Sequence, residues 1–349
     1  MKNITILSDA TIQEAMIRLD KTAEKCLLVV DANEILLGTI TDGDIRRAIL
    51  DLNPISSQVG SICNKNPVVI EESNLGVNSI KEKFLDNKIE LIPVVNDLHQ
   101  IVGYKTWTEV FGAEFPDRSQ KINAPVVIMA GGKGTRLKPF TDVLPKPLIP
   151  VNDIPVVEHI IEKFTNIGCS SIYLTVNYKA KILKAYFEEL SPKYKVTFID
   201  EPEPLGTAGS LNFLSDHFNQ PIFVTNCDII IKSDYREIYK YHESNSYDIT
   251  VVASIKNYVI PYGTCELNDD GSLNCINEKP KYEFLINTGL YVVNPEILSL
   301  IPKNRFFHFT HLITKATSIG KRVGVFPVNE NSWIDIGQWK EYRKAGELL

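Results

Sequence analysis

From residue 126 onward the chain alternates between two hydrophobic periods. Apolar runs at Val126–Ala130, Ser171–Val176, Lys195–Ile199 and Pro221–Thr225 are separated by helical patterns at Val156–Ile167, Lys179–Leu190 and Gly209–Phe218. Strands joined through helices predict an α/β domain whose mostly parallel sheet is covered on both faces. Ligands of such sheets bind outside the carboxyl ends of the strands. A length of 349 residues predicts two or three domains. The longest apolar stretches run about five residues, where a membrane span needs about twenty, so no membrane partner is expected. Asp9 and Glu14 interrupt any signal-like segment at the start. Net charge is −6, from 37 basic and 43 acidic residues, which argues against nucleic acid but leaves room for a small phosphorylated ligand. The six cysteines include no C-x-x-C pair and read as reduced thiols of a cytoplasmic protein, neither a disulfide framework nor a zinc site.

Directly after the first strand stands Ala130-Gly131-Gly132-Lys133-Gly134-Thr135-Arg136-Leu137. A dinucleotide fingerprint needs glycine where Leu137 stands, and a Walker loop needs Gly-Lys-Ser/Thr; both fail. What remains is a glycine-rich turn whose amides can surround phosphate oxygens, with Arg136 as a bidentate partner. Lys146 follows between Pro145 and Pro147, which stiffen the backbone and restrict its reach.

The first third contains a repeat. Strands Cys26–Asp31 and Ile35–Ile40 lead through Gly38 and Thr41-Asp42-Gly43-Asp44 into a helix with Arg46 and Arg47. Sixty-five residues on, strands Leu91–Val95 and Ile101–Lys105 follow the same plan, with Gly103, Thr106 and Glu109 in place of Gly38, Thr41 and Asp44. Amphipathic helices at Thr11–Thr22 and Leu75–Asn87 precede the two copies. This unit resembles a CBS domain, and the pair resembles the tandem arrangement of that family, over 1–58 and 59–116. The resemblance implies an adenine nucleotide at Thr41, Asp44, Thr106 and Glu109, and assembly into a homodimer or higher oligomer through the pair. The same residues equally fit helix caps and first-turn acids. Residues 117–124 are polar and read as a linker.

The run AGGKGTRLKPFTDVLPKPLIPV resembles the signature of sugar-1-phosphate nucleotidyltransferases. Further segments follow in that family's order: Glu203-Pro204-Leu205-Gly206-Thr207-Ala208-Gly209, Asn226-Cys227-Asp228, Pro261-Tyr262-Gly263, Asn277-Glu278-Lys279-Pro280, Asn287-Thr288-Gly289 and Trp333-Ile334-Asp335-Ile336-Gly337. The resemblance implies a GT-A-like, Rossmann-related nucleotidyltransferase domain over 125–349. In that family a sugar 1-phosphate attacks the α-phosphorus of a nucleoside triphosphate and releases pyrophosphate, by positioning and charge neutralisation. Carried onto this chain, Arg136 and Lys146 are the catalytic cations. Ala130, Gly131, Gly132, Gly134, Thr135, Glu201, Gly206 and Thr207 contact the nucleotide. Gly263, Glu278, Lys279, Asn287 and Thr288 contact the sugar phosphate, and Asp228 and Asp335 hold Mg²⁺. Cys227 reads as a packed residue, Lys133 as either a phosphate contact or a solvated loop lysine, and His308 and His311 as surface residues at a helix start.

A carboxylate only accepts, so Glu201, standing where thymidylyltransferases of the family carry glutamine, suits the adjacent donors of guanine and favours GTP. The string around it also resembles mannose-1-phosphate guanylyltransferases. A CBS pair ahead of a short nucleotidyltransferase resembles the glucosamine-1-phosphate guanylyltransferases of bacterial legionaminic acid synthesis. No hexapeptide-repeat β-helix follows in this sequence, so no acetyltransferase role is expected. A dTTP-, UTP- or CTP-specific enzyme and a non-catalytic adenine-nucleotide sensor are the competing expectations.

Overall fold

The computed structural model describes residues 4–22, 25–74, 76–87, 89–111, 121–328 and 332–348. The chain divides into two compact units, residues 1–120 with 257–283, and residues 121–256 with 284–349. Among the described residues no helix is long and apolar enough to cross a membrane.

In the first unit the repeat is present in the backbone. Thr5–Leu7, Ile12–Thr22, Cys26–Val30, Leu36–Thr41 and Asp42–Leu50 form a strand, helix, strand, strand and helix. Ile70–Glu71, Val77–Asn87, Leu91–Val95, Ile101–Thr106 and Trp107–Phe111 repeat that order. Each copy pairs its first strand parallel to its second and its second antiparallel to its third, with bulges at Val29/Val30 and Val94/Val95. Glu34 and His99 turn the two hairpins at φ 63° and 60°. The hairpins also bond each other: Leu36 N–H donates to the His99 carbonyl at 3.0 Å, and Ile101 N–H to that of Glu34 at 3.2 Å. The residues from 112 to 116, included in the expected second repeat, and 117 to 120 of the expected linker lie outside the described residues.

The second unit is built on a seven-stranded sheet. From one edge to the other it runs Lys195–Asp200, Ser171–Val176, Val126–Met129, Ile222–Asn226, Lys281–Val293, Ile249–Val259 and Val323–Val328. The first four strands are mutually parallel, Lys281–Val293 is antiparallel to Ile222–Asn226, and the last two are parallel. Val126 and Ile128 enter one buried cluster, while Val127 and Met129 enter the cluster on the opposite face. All four are buried, as the two-residue period of a strand covered on both sides requires. Val126–Met129 has Ser171–Val176 on one side and Ile222–Asn226 on the other. The order therefore switches at its carboxyl end, where a crevice opens.

Two expectations are corrected. Gly209–Phe218 is not an α-helix; a 3₁₀ segment covers Gly209–Leu214. Gly209, Ser210 and Asn212 are poor helix formers, and the Asn212 amide is drawn to the Ile301 carbonyl at 2.9 Å. Ile122 and Ala124 do not belong to a free linker. Both are buried in the sheet unit's core, and Ile122 N–H donates to the Ile167 carbonyl at 2.7 Å. Thr264–Leu267 and Leu273–Asn277 pair with each other in a separate two-stranded sheet, within the segment 257–283 that belongs to the first unit.

Candidate functional site

The glycine loop leaves Val126–Met129 at the switch point. Ala130 N–H still donates to the Thr175 carbonyl at 2.9 Å, and the chain then turns into a short 3₁₀ helix over Thr135–Leu137. Gly134 has φ 63°, and a Cβ there would lie 2.9 Å from Thr141 Cγ2 and 3.1 Å from Lys146 Cβ. Only glycine satisfies both the left-handed backbone and the close approach of Lys146. A Cβ on Gly131 would meet the Glu201 carboxylate at 2.7 Å, whereas one on Gly132 would meet nothing within 4 Å. The loop is thus pinned from below and open above. Lys133 is exposed, as is Arg136.

Two carboxylates converge beside this loop. Ile229–Ile231 pairs antiparallel with Trp333–Asp335, in the register Ile229↔Asp335, which brings Asp228 and Asp335 to one end of a two-stranded ribbon. Asp335 Oδ1 accepts from Gly337 N–H at 2.7 Å. A Cβ on Gly337 would lie 2.8 Å from Asp228 Oδ2, 2.8 Å from Asp335 Oδ1 and 3.4 Å from Arg136 Nη2. Lys146 Nζ makes an ion pair with Asp228 Oδ2, and both side chains are largely buried. Burial pulls the Lys146 ammonium down most strongly, but the charge of Asp228, that of Cys227 and the hydrogen bond to Asp228 together leave the group above its ordinary 10.5. Burial raises the Asp335 carboxyl above its ordinary 3.8; the nearby Asp228 charge adds to this, against the Gly337 hydrogen bond and the two cations. The Cys227 thiol is fully packed, and burial pushes it up to about 12.

Next to the acid pair lies a cavity of about 340 Å³, lined among others by Arg136, Asn226, Asn287, Thr288, His308 and Thr310. Asn287 is engaged locally: its amide donates to the Tyr291 hydroxyl at 2.8 Å, and its oxygen accepts from Gly289 N–H at 3.0 Å. Thr288 is buried, with its hydroxyl donating to the Val252 carbonyl at 2.8 Å. Gly206 has φ 80°, and Thr207 Oγ1 after it accepts from Phe309 N–H at 3.0 Å. Glu201 is buried and accepts from Leu205 N–H at 3.3 Å, closing its own loop from beneath the glycine turn.

Arg136, Lys146, Asp228, Asp335, Thr207, Asn287 and Thr288 are therefore brought to one crevice. Gly263, Glu278 and Lys279 lie on the 257–283 segment, all exposed. A Cβ on Gly263 would lie 3.1 Å from Glu278 Oε2, and Lys279 has φ 46°. In the first unit Asp44 Oδ2 accepts from Thr41 N–H at 2.8 Å and from its hydroxyl at 2.6 Å, and Oδ1 pairs with Arg47. Thr106 N–H and Glu109 Oε2 are similarly joined at 3.1 Å. Both pairs are helix-capping arrangements. Sequence reasoning missed Asn226, His308 and Thr310 as cavity residues. Asn226 carried a signal, since it ends the strand before Asp228; His308 carried none that spacing reveals.

Among the described residues no three His, Cys, Asp or Glu side chains cluster as a metal site. A pair of converging carboxylates, with all-oxygen donors, nevertheless suits a hard cation that keeps water or phosphate oxygens in its shell, as Mg²⁺ does. Phosphate groups suit the loop amides and Arg136.

The chain was compared with known proteins. Residues 125–349 match the nucleotidyl transferase family, and residues 1–51 match the CBS domain family. The mannose-1-phosphate guanyltransferase of Saccharomyces cerevisiae (strain ATCC 204508 / S288c) is 35% identical over 236 residues, covering 62% of this chain and 62% of that protein. The chain thus spans less than two thirds of the length of the curated relatives it matches. HddC from Yersinia pseudotuberculosis matches 64% of this chain and 98% of its own, at 29% identity and a TM-score of 0.51. Its complex with GMP-PN matches at 28% identity and a TM-score of 0.50, over the same shares of both chains. With the parallel sheet, the glycine turn at its switch point and a match over more than half of the sequence, this chain belongs to the nucleotidyl transferase family.

Proposed function

We propose that the chain transfers GMP from GTP to a sugar 1-phosphate, glucosamine 1-phosphate being the acceptor, and releases pyrophosphate. The observation that carries this reading is the convergence of Asp228, Asp335 and Arg136 around Gly337, with Lys146 on Asp228, beside an open glycine turn. Arg136 and the amides of Gly131, Gly132 and Gly134 hold the departing pyrophosphate, Ala130 and Thr135 flanking them. Lys146 leaves Asp228 for the α-phosphate and offsets the charge that grows as a sugar-phosphate oxygen bonds to Pα and the bond to pyrophosphate breaks. Asp228 and Asp335 would hold Mg²⁺, which supplies charge neutralisation to the phosphates when bound. Asn287 and Thr288 receive the sugar phosphate.

GTP is supported by the accepting carboxylate of Glu201 in the base-side loop and by the GMP-PN bound to HddC. Glucosamine 1-phosphate rests on the pairing of a CBS repeat with this domain. Mannose 1-phosphate is the second reading, favoured by the names of the relatives. The repeats 1–58 and 59–116 would regulate or dimerise the chain; an adenine nucleotide there must displace the Thr41 and Arg47 contacts of Asp44.

The test is pyrophosphate release with Mg²⁺, crossing GTP, dTTP, UTP and CTP with glucosamine-, mannose- and glucose-1-phosphate. Release with GTP and glucosamine 1-phosphate above the other pairs is expected. Preference for mannose 1-phosphate replaces the acceptor, and equal use of a pyrimidine triphosphate overturns the argument from Glu201. No release with any pair, together with a thermal shift by AMP or ATP, moves the chain to the class of nucleotide sensors.

A further inference from the structure

Resting on the reading above, the geometry points to His308 as the residue that selects the acceptor sugar, donating a hydrogen bond from Nε2 to an oxygen of the sugar ring's substituents. His308 is the N-cap of the helix Phe309–Ser318 and lines the cavity that holds the acid pair. Its ring is fixed on the protein side by two neighbours. It accepts from the backbone of His311 in a capping box, and Nδ1 stands 3.4 Å from Thr207 Oγ1. Thr207 Oγ1 already accepts from Phe309 N–H and keeps its own hydrogen to give to Nδ1. A neutral imidazole whose Nδ1 accepts carries its hydrogen on Nε2. The cavity is therefore offered a donor of fixed chemistry, held by a helix end and by the loop after Gly206.

Four other polar groups of the cavity are committed. Asn287 bonds Tyr291 and Gly289, and Thr288 bonds Val252. Asp228 is paired with Lys146, and Asp335 accepts from Gly337. His308, like the unpartnered Trp333 Nε1 of the same cavity, is thus a donor able to read a hydroxyl oxygen without breaking a bond in the fold. A site built around such a donor disfavours the analogue lacking the oxygen, because the donor is then left unpaired.

Hexose 1-phosphates in which each ring hydroxyl is replaced in turn by hydrogen test this assignment. With GTP and Mg²⁺, kcat and KM are measured for the unaltered chain, His308→Phe, His308→Gln and His311→Ala. His311 serves as the control, since its Nδ1 receives His308 N–H at 3.4 Å in the same cap. For the unaltered chain, one deoxy position should cost about tenfold or more in kcat/KM. His308→Phe should treat parent and deoxy sugar alike, His308→Gln should restore part of the difference, and His311→Ala should keep it. Discrimination that survives His308→Phe at every position overturns the assignment while leaving the transferase reading intact. Discrimination lost equally in His311→Ala also overturns it, by tracing the effect to the helix cap. An unaltered chain that turns over no sugar phosphate refutes the transferase reading itself, and the assignment of His308 with it.

Discussion

Gly337→Ala should disable the acid pair while leaving the fold in place. Its Cβ would arrive 2.8 Å from both Asp228 Oδ2 and Asp335 Oδ1, where ordinary contact begins at 3.4 Å, so the oxygens must retreat by about 0.6 Å. Asp335 is tied to Gly337 N–H and Asp228 to Lys146, so neither moves freely. Misplacing reacting groups by about 1 Å costs roughly a hundredfold. The expected loss in kcat/KM is therefore about ten- to a hundredfold, or about 1.4–2.7 kcal/mol. Stability should change little: Gly337 has no positive φ, and Gly→Ala at a compatible backbone stabilises by roughly 0.4–1 kcal/mol, offsetting part of the strain. Pyrophosphate release at several Mg²⁺ concentrations, with a thermal melt of the same preparation, reads both effects. Gly132→Ala is the comparison, since its Cβ meets nothing within 4 Å; any loss there should lie in KM for the triphosphate. Full activity of Gly337→Ala at the unaltered Mg²⁺ requirement would refute the convergence argument. A Tm lowered by more than about 10 °C would instead make Gly337 a residue of the fold.

Removal of divalent metal with EDTA should abolish pyrophosphate release yet leave Tm unchanged, because Lys146 and the Gly337 amide already hold the two carboxylates; a large fall in Tm would contradict this. Burial lowers the pKa of His242 below its ordinary 6.5, against the pull of Asn294 and Asp248, so the folded chain resists protonation that the unfolded chain accepts. Its contribution is present above about pH 6.5 and is lost as pH falls below that value; His242→Gln should flatten the decline of Tm between pH 6.5 and 5, and an unchanged slope would refute it. Asp44→Ala removes the reciprocal cap with Thr41 and should cost the first unit about 1 kcal/mol without altering pyrophosphate release, as denaturation and activity measured together will tell. Glu201→Gln keeps an acceptor for Leu205 N–H but adds a donor, and should narrow the preference for GTP over dTTP in competition assays; an unchanged ratio would place Glu201 purely in the loop.

The parallel sheet was legible because its strands are buried on both faces and read as continuous apolar runs, as Val126–Met129 does. The repeat was legible because hairpins of equal length impose equal turn chemistry, visible at Glu34 and His99. What could not be read was set by contacts distant in sequence. Gly209–Leu214 looked helical until the pull of Ile301 on Asn212 is considered. His308 looked like an ordinary helix start, since only the fold brings Thr207 to its ring. Ile122 sits in a polar stretch, and its burial depends on Ile167, far along the chain.

The acid pair shows how a short element sets the chemistry. Motif order pointed to Asp228 and Asp335 separately, but their meeting depends on the register of a ribbon three residues long. Ile230 faces Ile334 across it, both buried, flanked by the pairs Ile229↔Asp335 and Ile231↔Trp333. The side-chain period of a strand is two, so a slip of one residue would turn Ile334 out of the core and Asp335 away from Asp228. Burying Ile230 and Ile334 disfavours that slip by the transfer free energy of two large side chains, about 1.5–3 kcal/mol each. The apolar pair thereby holds two like charges together, while Lys146 and Arg136 supply the positive charge that makes their approach tolerable. Packing fixes where the carboxylates stand, and the cations fix the charge state in which they can stand there.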